Sequence, residues 1–175
     1  MFNHTKVSLY CRNRLIFSII YDKIFQKTKN GGIIPMAIKM RVLCYPENNK
    51  KLHSIAEMIK AEYDLNVNAV DRIPPAYSCD KERLVILAVQ LKSNIPDNYR
   101  LFVRELTKAR AANVAILSAG DEGAVQKTKE LLKEAGTNVI EDVKTVKVGL
   151  FNTKVTDEEK TDVLAWLKKI FENLA

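Results

Sequence analysis

From position 41 onward the chain alternates between short β-rich runs and longer amphipathic stretches. Residues 41–45 (Arg-Val-Leu-Cys-Tyr) predict a strand. A helix follows over 49–63, with Leu52, Ile55, Ala56, Ile59 and Tyr63 on one face at the 3.6-residue period. Residues 65–70 alternate strictly, Leu65, Val67 and Ala69 against Asn66 and Asn68, until Pro74-Pro75 breaks the chain. Residues 84–89 form an unbroken apolar strand. Ile95-Pro96-Asp97 then turns into a helix with Tyr99, Phe102, Val103, Leu106 and Ala109 inward. Another apolar strand covers 114–117, and Asp121 opens a helix that reaches Ala135 and is closed by Gly136. The last strand spans 139–148, alternating through Val146, Lys147 and Val148. The final helix begins with the capping box Thr156-Asp157-Glu158-Glu159 and buries Val163, Leu164, Leu167, Ile170, Phe171 and Leu174.

Strands separated by helices predict an α/β fold, a doubly wound five-stranded parallel sheet with right-handed crossovers. Strands covered on both faces read as continuous apolar runs, and half-exposed strands alternate. The first, third and fourth strands are continuous, so they take the middle; the second and fifth alternate, so they take the edges. The order 2-1-3-4-5 satisfies both conditions. Ligands of such sheets lie beyond the carboxyl ends of the strands, near the switch point between strands one and three. The loops at 45–51, 90–98 and 118–124 are therefore the candidate site.

In its element order, and in segments such as Leu84-Val-Ile-Leu-Ala-Val89 and Glu130-Leu-Leu-Lys-Glu-Ala-Gly136, the chain resembles the flavodoxin family over about residues 40–173. The resemblance implies FMN as cofactor, with electron transfer or reduction of a small acceptor as the activity. It also implies a redox partner protein or a small-molecule acceptor. The family holds the FMN phosphate with Ser/Thr-x-Thr-Gly-x-Thr at a helix N-terminus, through hydroxyls and backbone N–H groups. The equivalent segment here is Tyr45-Pro46-Glu47-Asn48-Asn49-Lys50-Lys51-Leu52-His53-Ser54, about one residue longer, with neither Gly nor Thr. Pro46 has no N–H, and Glu47 repels a phosphate. Asn48 and Asn49 suit a helix cap, and Lys50 and Lys51 bring positive charge. In the resemblance, Tyr45, Glu47, Asn48, Asn49, Lys50 and Lys51 stand at the phosphate. Gln90, Leu91, Lys92 and Ser93 with Ser118, Ala119, Gly120 and Asp121 flank the flavin ring, which the family sandwiches between these two loops. Small residues at 118–121 leave room for a flat ligand. Read from the residues alone, Asn48 is an N-cap, the two lysines are a solvated helix face, and Gly120 and Gly123 make a tight turn capped by Asp121. That reading predicts a flavin-free module for binding or assembly, without catalysis.

Other chemistries on this chain order lack their residues. A phospho-receiver needs acids after the first strand and an Asp after the third, where this chain has Pro46-Glu47 and Gln90. Cys44 lies where a phosphocysteine carrier places its nucleophile, but the hydroxyl-rich loop that would hold the phosphate is missing. No nucleophile and base share a loop, and His4 and His53 lie too far apart in the chain to argue a metal site.

Composition changes one part of this picture. The net charge of +7 would ordinarily raise nucleic acid as a partner. Residues 1–35, however, hold six of the bases and one acid, which leaves 22 bases against 20 acids in residues 36–175. Without the leader's charge, neither nucleic acid nor a membrane is expected. The leader has no Ala or Glu, and Phe, Ile, Lys, Asn and Tyr fill 18 of its 35 positions, as translated A/T-rich DNA would. Its Gly31-Gly32 codons can encode a bacterial ribosome-binding sequence three codons before Met36. Residues 1–35 are therefore expected to be non-native or disordered, and 36–175 to be the working domain. N-terminal sequencing of the native protein checks this, and a mature chain carrying Phe2 onward refutes it. The apolar run at 15–21 is too short for export and has no cleavage site. Three cysteines without metal spacing, Cys44 among them in a core strand, fit the cytoplasm.

Overall fold

A computed structural model describes residues 25–27, 33–35, 38–64, 67–73, 79–149 and 154–174. The readings of His4, Cys11, the run at 15–21, Leu65, Asn66 and Pro74-Pro75 lie outside the described residues. The chain divides into two compact units, residues 1–37 with Ala175, and residues 38–174. The first contains an antiparallel pair, β1 (Phe25–Lys27) and β2 (Ile33–Pro35), with Phe25 opposite Pro35.

The second unit is an α/β sheet. In chain order its elements are β3 (Met40–Tyr45), α1 (Lys50–Glu62), β4 (Val67–Arg72), β5 (Leu84–Val89), α2 (Asp97–Glu105), β6 (Asn113–Ser118), α3 (Glu122–Glu134), β7 (Asn138–Val139), β8 (Lys144–Thr145) and α4 (Asp157–Leu174). All pairings within the sheet are parallel, in the order β4-β3-β5-β6-β7, with β8 also on β6. The expected strand over 139–148 is thus two short pieces on one edge. Both pair with β6, at Val114↔Val139 and Ser118↔Thr145; Ile140 N still donates to Val114 O at 2.8 Å, and residues 141–143 leave the ladder.

All six residues of β5 are buried, as its continuous apolar run requires. Alternate strand residues feed two cores. Leu43, Val85, Leu87, Val89, Val114 and Ile116 pack with Tyr99, Phe102 and Val103 of α2 and with Ala124, Val125 and Leu132 of α3. The α1 residues Leu52, Ile55, Ala56 and Ile59 and the α4 residues Val163, Leu167, Ile170 and Phe171 are equally buried. Tyr63 meets Phe171 edge-on at 5.0 Å, joining α1 to α4. Trp166, which the periodicity did not single out, is also buried, and its indole N–H donates to Asp142 O at 3.1 Å.

The helix ends follow local chemistry. Gly136 has φ +81° just past α3, a conformation that suits glycine. Thr156 and Glu159 form the reciprocal capping box, Glu159 N to Thr156 Oγ1 at 3.2 Å and Thr156 N to Glu159 Oε2 at 3.1 Å. Three expectations are corrected. Helix α2 ends at Glu105, because Leu106 turns away (φ −78°, ψ 69°), so Ala109 is exposed. The N-cap of α1 is Asn49 rather than Asn48, its Oδ1 accepting from Leu52 N at 3.0 Å. Leu164 and Leu174 are only partly buried.

Candidate functional site

The register brings the strand ends into one row. Cys44 pairs with Arg72, Tyr45 with Val89, Val89 with Ser118, and Ser118 with Thr145. The residues that follow, Ile73, Pro46, Gln90 and Ala119, therefore line the carboxyl edge of the sheet. Backbone bonds tie the loops beyond it in sequence. Gln90 N donates to Tyr45 O at 2.7 Å, Ala119 N to Val89 O at 2.8 Å, and Asp121 N to Leu91 O at 2.8 Å. Asn49, buried at the start of α1, uses both ends of its carboxamide: Oδ1 caps Leu52 N, and Nδ2 donates to Gln90 Oε1 at 2.8 Å.

The 90s loop and the 118–121 loop touch directly. A Cβ on Gly120 would stand 2.2 Å from Leu91 O and 2.4 Å from Leu91 N. Real Cβ atoms do not approach backbone that closely, so glycine is required by the neighbouring strand end. The side of Gly120 on which a Cβ would stand is taken by the Leu91 main chain. Leu91 is itself buried, Ser118 Oγ accepts from Gly120 N at 3.1 Å, and Asp121 Oδ1 accepts from Ala124 N at 3.1 Å as the cap of α3. Lys92 and Ser93 are exposed; Ser93 lines a separate groove with Ile95 and Leu131.

The two lysines part company. Lys50 is exposed, but the Lys51 side chain is only 1% exposed. Its Nζ donates to Glu159 Oε1 at 2.6 Å and to Lys147 O at 2.8 Å, joining α1 to the N-terminus of α4 and to the segment after β8. This corrects the expectation of a lysine pair on a solvated face. Glu159 is pushed up by burial, but the Lys51 ammonium and the Thr156 N–H and hydroxyl outweigh that and hold it below the usual carboxylate range.

Two open clefts flank the 46–49 loop. One, of about 470 Å³, is lined by Asn48, Asn49, Lys50, Lys51, Gln90, Val148 and Gly149 at the start of α1. The other, of about 430 Å³, is lined by Tyr45, Pro46, Glu47, Asn48, Ile73 and Asn98. Tyr45 is half-buried, and its ring rests on that of Tyr99 at 5.2 Å and 45°. Its hydroxyl donates to Asn98 Oδ1 at 3.4 Å. Burial drives the Tyr99 phenol well above the ordinary tyrosine range, against the Thr128 hydroxyl beside it. Asn98 is the last residue of the expected 90–98 loop, whereas Ile73, Val148 and Gly149 were not among the expected site residues. The parallel pairing of β4 on β3 was the signal for Ile73; the 147–149 segment had none in local sequence.

The opposite edge of the sheet carries a second polar cluster. The Glu82 carboxylate, 1% exposed, lies 3.5 Å from Lys39 Nζ and 3.8 Å from Arg41 Nε. Cys79 Sγ lies 4.0 Å from Arg41 Nη1. Burial raises the Cys79 thiol, with Arg41 opposing. Among the described residues no helix is long and apolar enough to cross a membrane.

No protein-family model matches the chain, and no curated protein matches it. Among solved structures it is similar to oxidised Flavodoxin 2 from Bacillus cereus, with a TM-score of 0.55 and 14% identity over 75% of this chain and 99% of that one. The chain therefore has a flavodoxin-like fold, reached by a sequence that diverges widely from that protein's.

Proposed function

We propose that this flavodoxin-like protein, with its five strands taken in the order 2-1-3-4-5 and β7 and β8 counted as one, is a flavin-free binding module of the cytoplasm. Its working surface is the carboxyl edge of the sheet. The observation that carries the reading is the contact of Leu91 with Gly120. In the family, the flavin ring lies between the 90s loop and the loop after the fourth strand. Here the two loops stay in backbone contact, Leu91 against Gly120, and the Asp121 N to Leu91 O bond holds them together, which argues against a ring between them. The phosphate end argues the same way. Pro46 has no N–H, Asn49 N donates to Pro46 O at 3.2 Å, Leu52 N donates to Asn49, and the Lys51 ammonium is buried on Glu159. Asn49 N, Leu52 N and the Lys51 ammonium are thus engaged within the protein, which leaves an FMN phosphate fewer donors at this helix start.

A second reading, FMN-dependent electron transfer to a partner protein or a small acceptor, is supported by the fold and by the 470 Å³ cleft at the start of α1. There Asn48 and Lys50 would hold the phosphate. The ring would require the 90s loop to withdraw from Gly120, and the flavin would then supply the redox chemistry. Purification followed by visible spectroscopy and an FMN titration separates the two. The expected result is a colourless protein with no saturable change up to about 100 μM FMN, an affinity weaker than about 5 kcal/mol. A protein that purifies yellow, or that perturbs the flavin spectrum at stoichiometric FMN, overturns the flavin-free reading.

A further inference from the structure

We propose that the amino edge of the sheet, opposite the candidate site, docks the phosphate backbone of duplex nucleic acid without reading its sequence. The proposal goes beyond the carboxyl edge and holds whichever reading of that edge is right.

Residues 36–175 carry 22 basic residues against 20 acids, and that near-balance conceals a division of charge. The segments leading into β3, β5 and β6, residues 38–41, 79–83 and 106–112, hold six basic residues (Lys39, Arg41, Lys81, Arg83, Lys108 and Arg110) and two acids, Asp80 and Glu82. The surplus lies on one edge, and the rest of the domain is slightly acidic. Backbone bonds stitch the three segments together. Arg83 N donates to Lys39 O at 2.8 Å, and Glu82 N to Arg110 O and Ala112 N to Glu82 O at 2.9 Å each. The Glu82 carboxylate is buried against Lys39 and Arg41, so it does little to offset the charges beyond them. Lys81 and Lys108 are exposed and form no ion pair among the described residues. The Arg83 guanidinium meets only the Leu174 carbonyl, and Arg110, partly buried, has no hydrogen-bond partner on Nη1.

Adjacent strands lie about 4.8 Å apart, so the three strand entries make a row of about 10 Å. A duplex carries one phosphate charge per about 1.7 Å of its axis, which sets several within reach of that row. The apolar residues of these segments, Ile38, Met40, Cys79, Leu106 and Ala111, are buried. A protein partner therefore finds no apolar anchor here. No exposed aromatic in these segments offers a nucleobase a stacking face. A phosphate backbone needs neither feature, and contacts to it carry no sequence information.

Residues 1–35 are themselves basic, so the edge is tested by substitution within the full chain. Fluorescence anisotropy follows a labelled DNA duplex of about 20 base pairs between about 50 and 200 mM salt. The expected result is saturable binding at the lower salt, equal for duplexes of unrelated sequence. Lys81→Asn with Lys108→Gln, asparagine being suited to the φ of +54° at Lys81, weakens it at least about tenfold and flattens the log–log salt slope by about 2. Lys50→Gln with Lys127→Gln, which removes the same charge from exposed helix positions elsewhere, changes affinity by less than about twofold. A polyglutamate peptide of about 20 residues binds at least about tenfold more weakly than the duplex, because its charges are sparser. Absence of saturable binding, an unchanged slope in the edge variant, an equal loss in the Lys50 and Lys127 variant, a preference for one duplex sequence, or polyglutamate bound as tightly as the duplex overturns the proposal.

Discussion

Replacing Gly120 by alanine tests the contact on which the functional reading turns. The added methyl would lie 2.2 Å from Leu91 O, and an ordinary contact requires the two loops to part by roughly 1 Å. That displacement stretches the 2.8 Å bond from Asp121 N to Leu91 O beyond hydrogen-bonding length. Losing the bond costs about 1 kcal/mol. Forcing buried Leu91 out of register adds about 1–3 kcal/mol of overpacking. The expected destabilisation is therefore about 2–4 kcal/mol, measured by urea unfolding followed through Trp166 fluorescence and far-UV circular dichroism. Gly136→Ala is the control. No atom lies within 4 Å of its Cβ, and only its φ of +81° opposes a side chain, so the cost should be about 1 kcal/mol. A Gly120→Ala protein within about 0.5 kcal/mol of the parent would refute the close approach. With it would go the argument that the flavin slot is closed.

The buried ion pair should respond asymmetrically to mutation. Glu159→Gln leaves the Lys51 ammonium in the interior without its carboxylate, at a cost of about 3 kcal/mol. Lys51→Met fills the same volume and leaves Glu159, 22% exposed and held by Thr156, so about 1 kcal/mol is expected. Equal or reversed costs in urea unfolding would refute that assignment. Asn49→Ala removes the cap on Leu52 and the tie to Gln90, and should lower stability by about 1–2 kcal/mol in the same assay. Glu159 and Glu141 are both held below their unfolded values, Glu141 at about 2 by Lys133 and Lys129. Their contribution is complete above about pH 4.5 and is lost as pH falls toward 2. The urea midpoint should be flat near neutrality and decline below that point, and Glu141→Gln should make the decline shallower.

Most of the architecture was legible because its causes are local. The 84–89 run has no polar residue, so a strand buried on both faces follows from it directly. Gly136 after α3 and Thr156 with Glu159 before α4 mark helix ends through bonds that span three or four residues. The errors fell where a distant group decides. Residues 139–148 alternate like one strand, but pairing with β6 holds only Val139 and Lys144–Thr145 among them. Ala109 has the periodicity of α2, yet the chain turns at Leu106 first.

At the carboxyl edge the sequence by itself determined which loops meet, since strand order follows from the apolar pattern and ligand loops follow from strand order. It also carried the departures from a phosphate loop, Pro46 and Glu47. What it left open was the meaning of small and charged residues. Gly120 reads equally as room for a ligand or room for a neighbouring chain, and only the fold sets the Leu91 main chain, 29 residues earlier, against it. Lys51 reads as a surface cation beside Lys50 until Glu159, 108 residues later, is packed against it. A glycine's space and a lysine's charge are defined by what lies across from them, and that is settled when the chain folds back on itself.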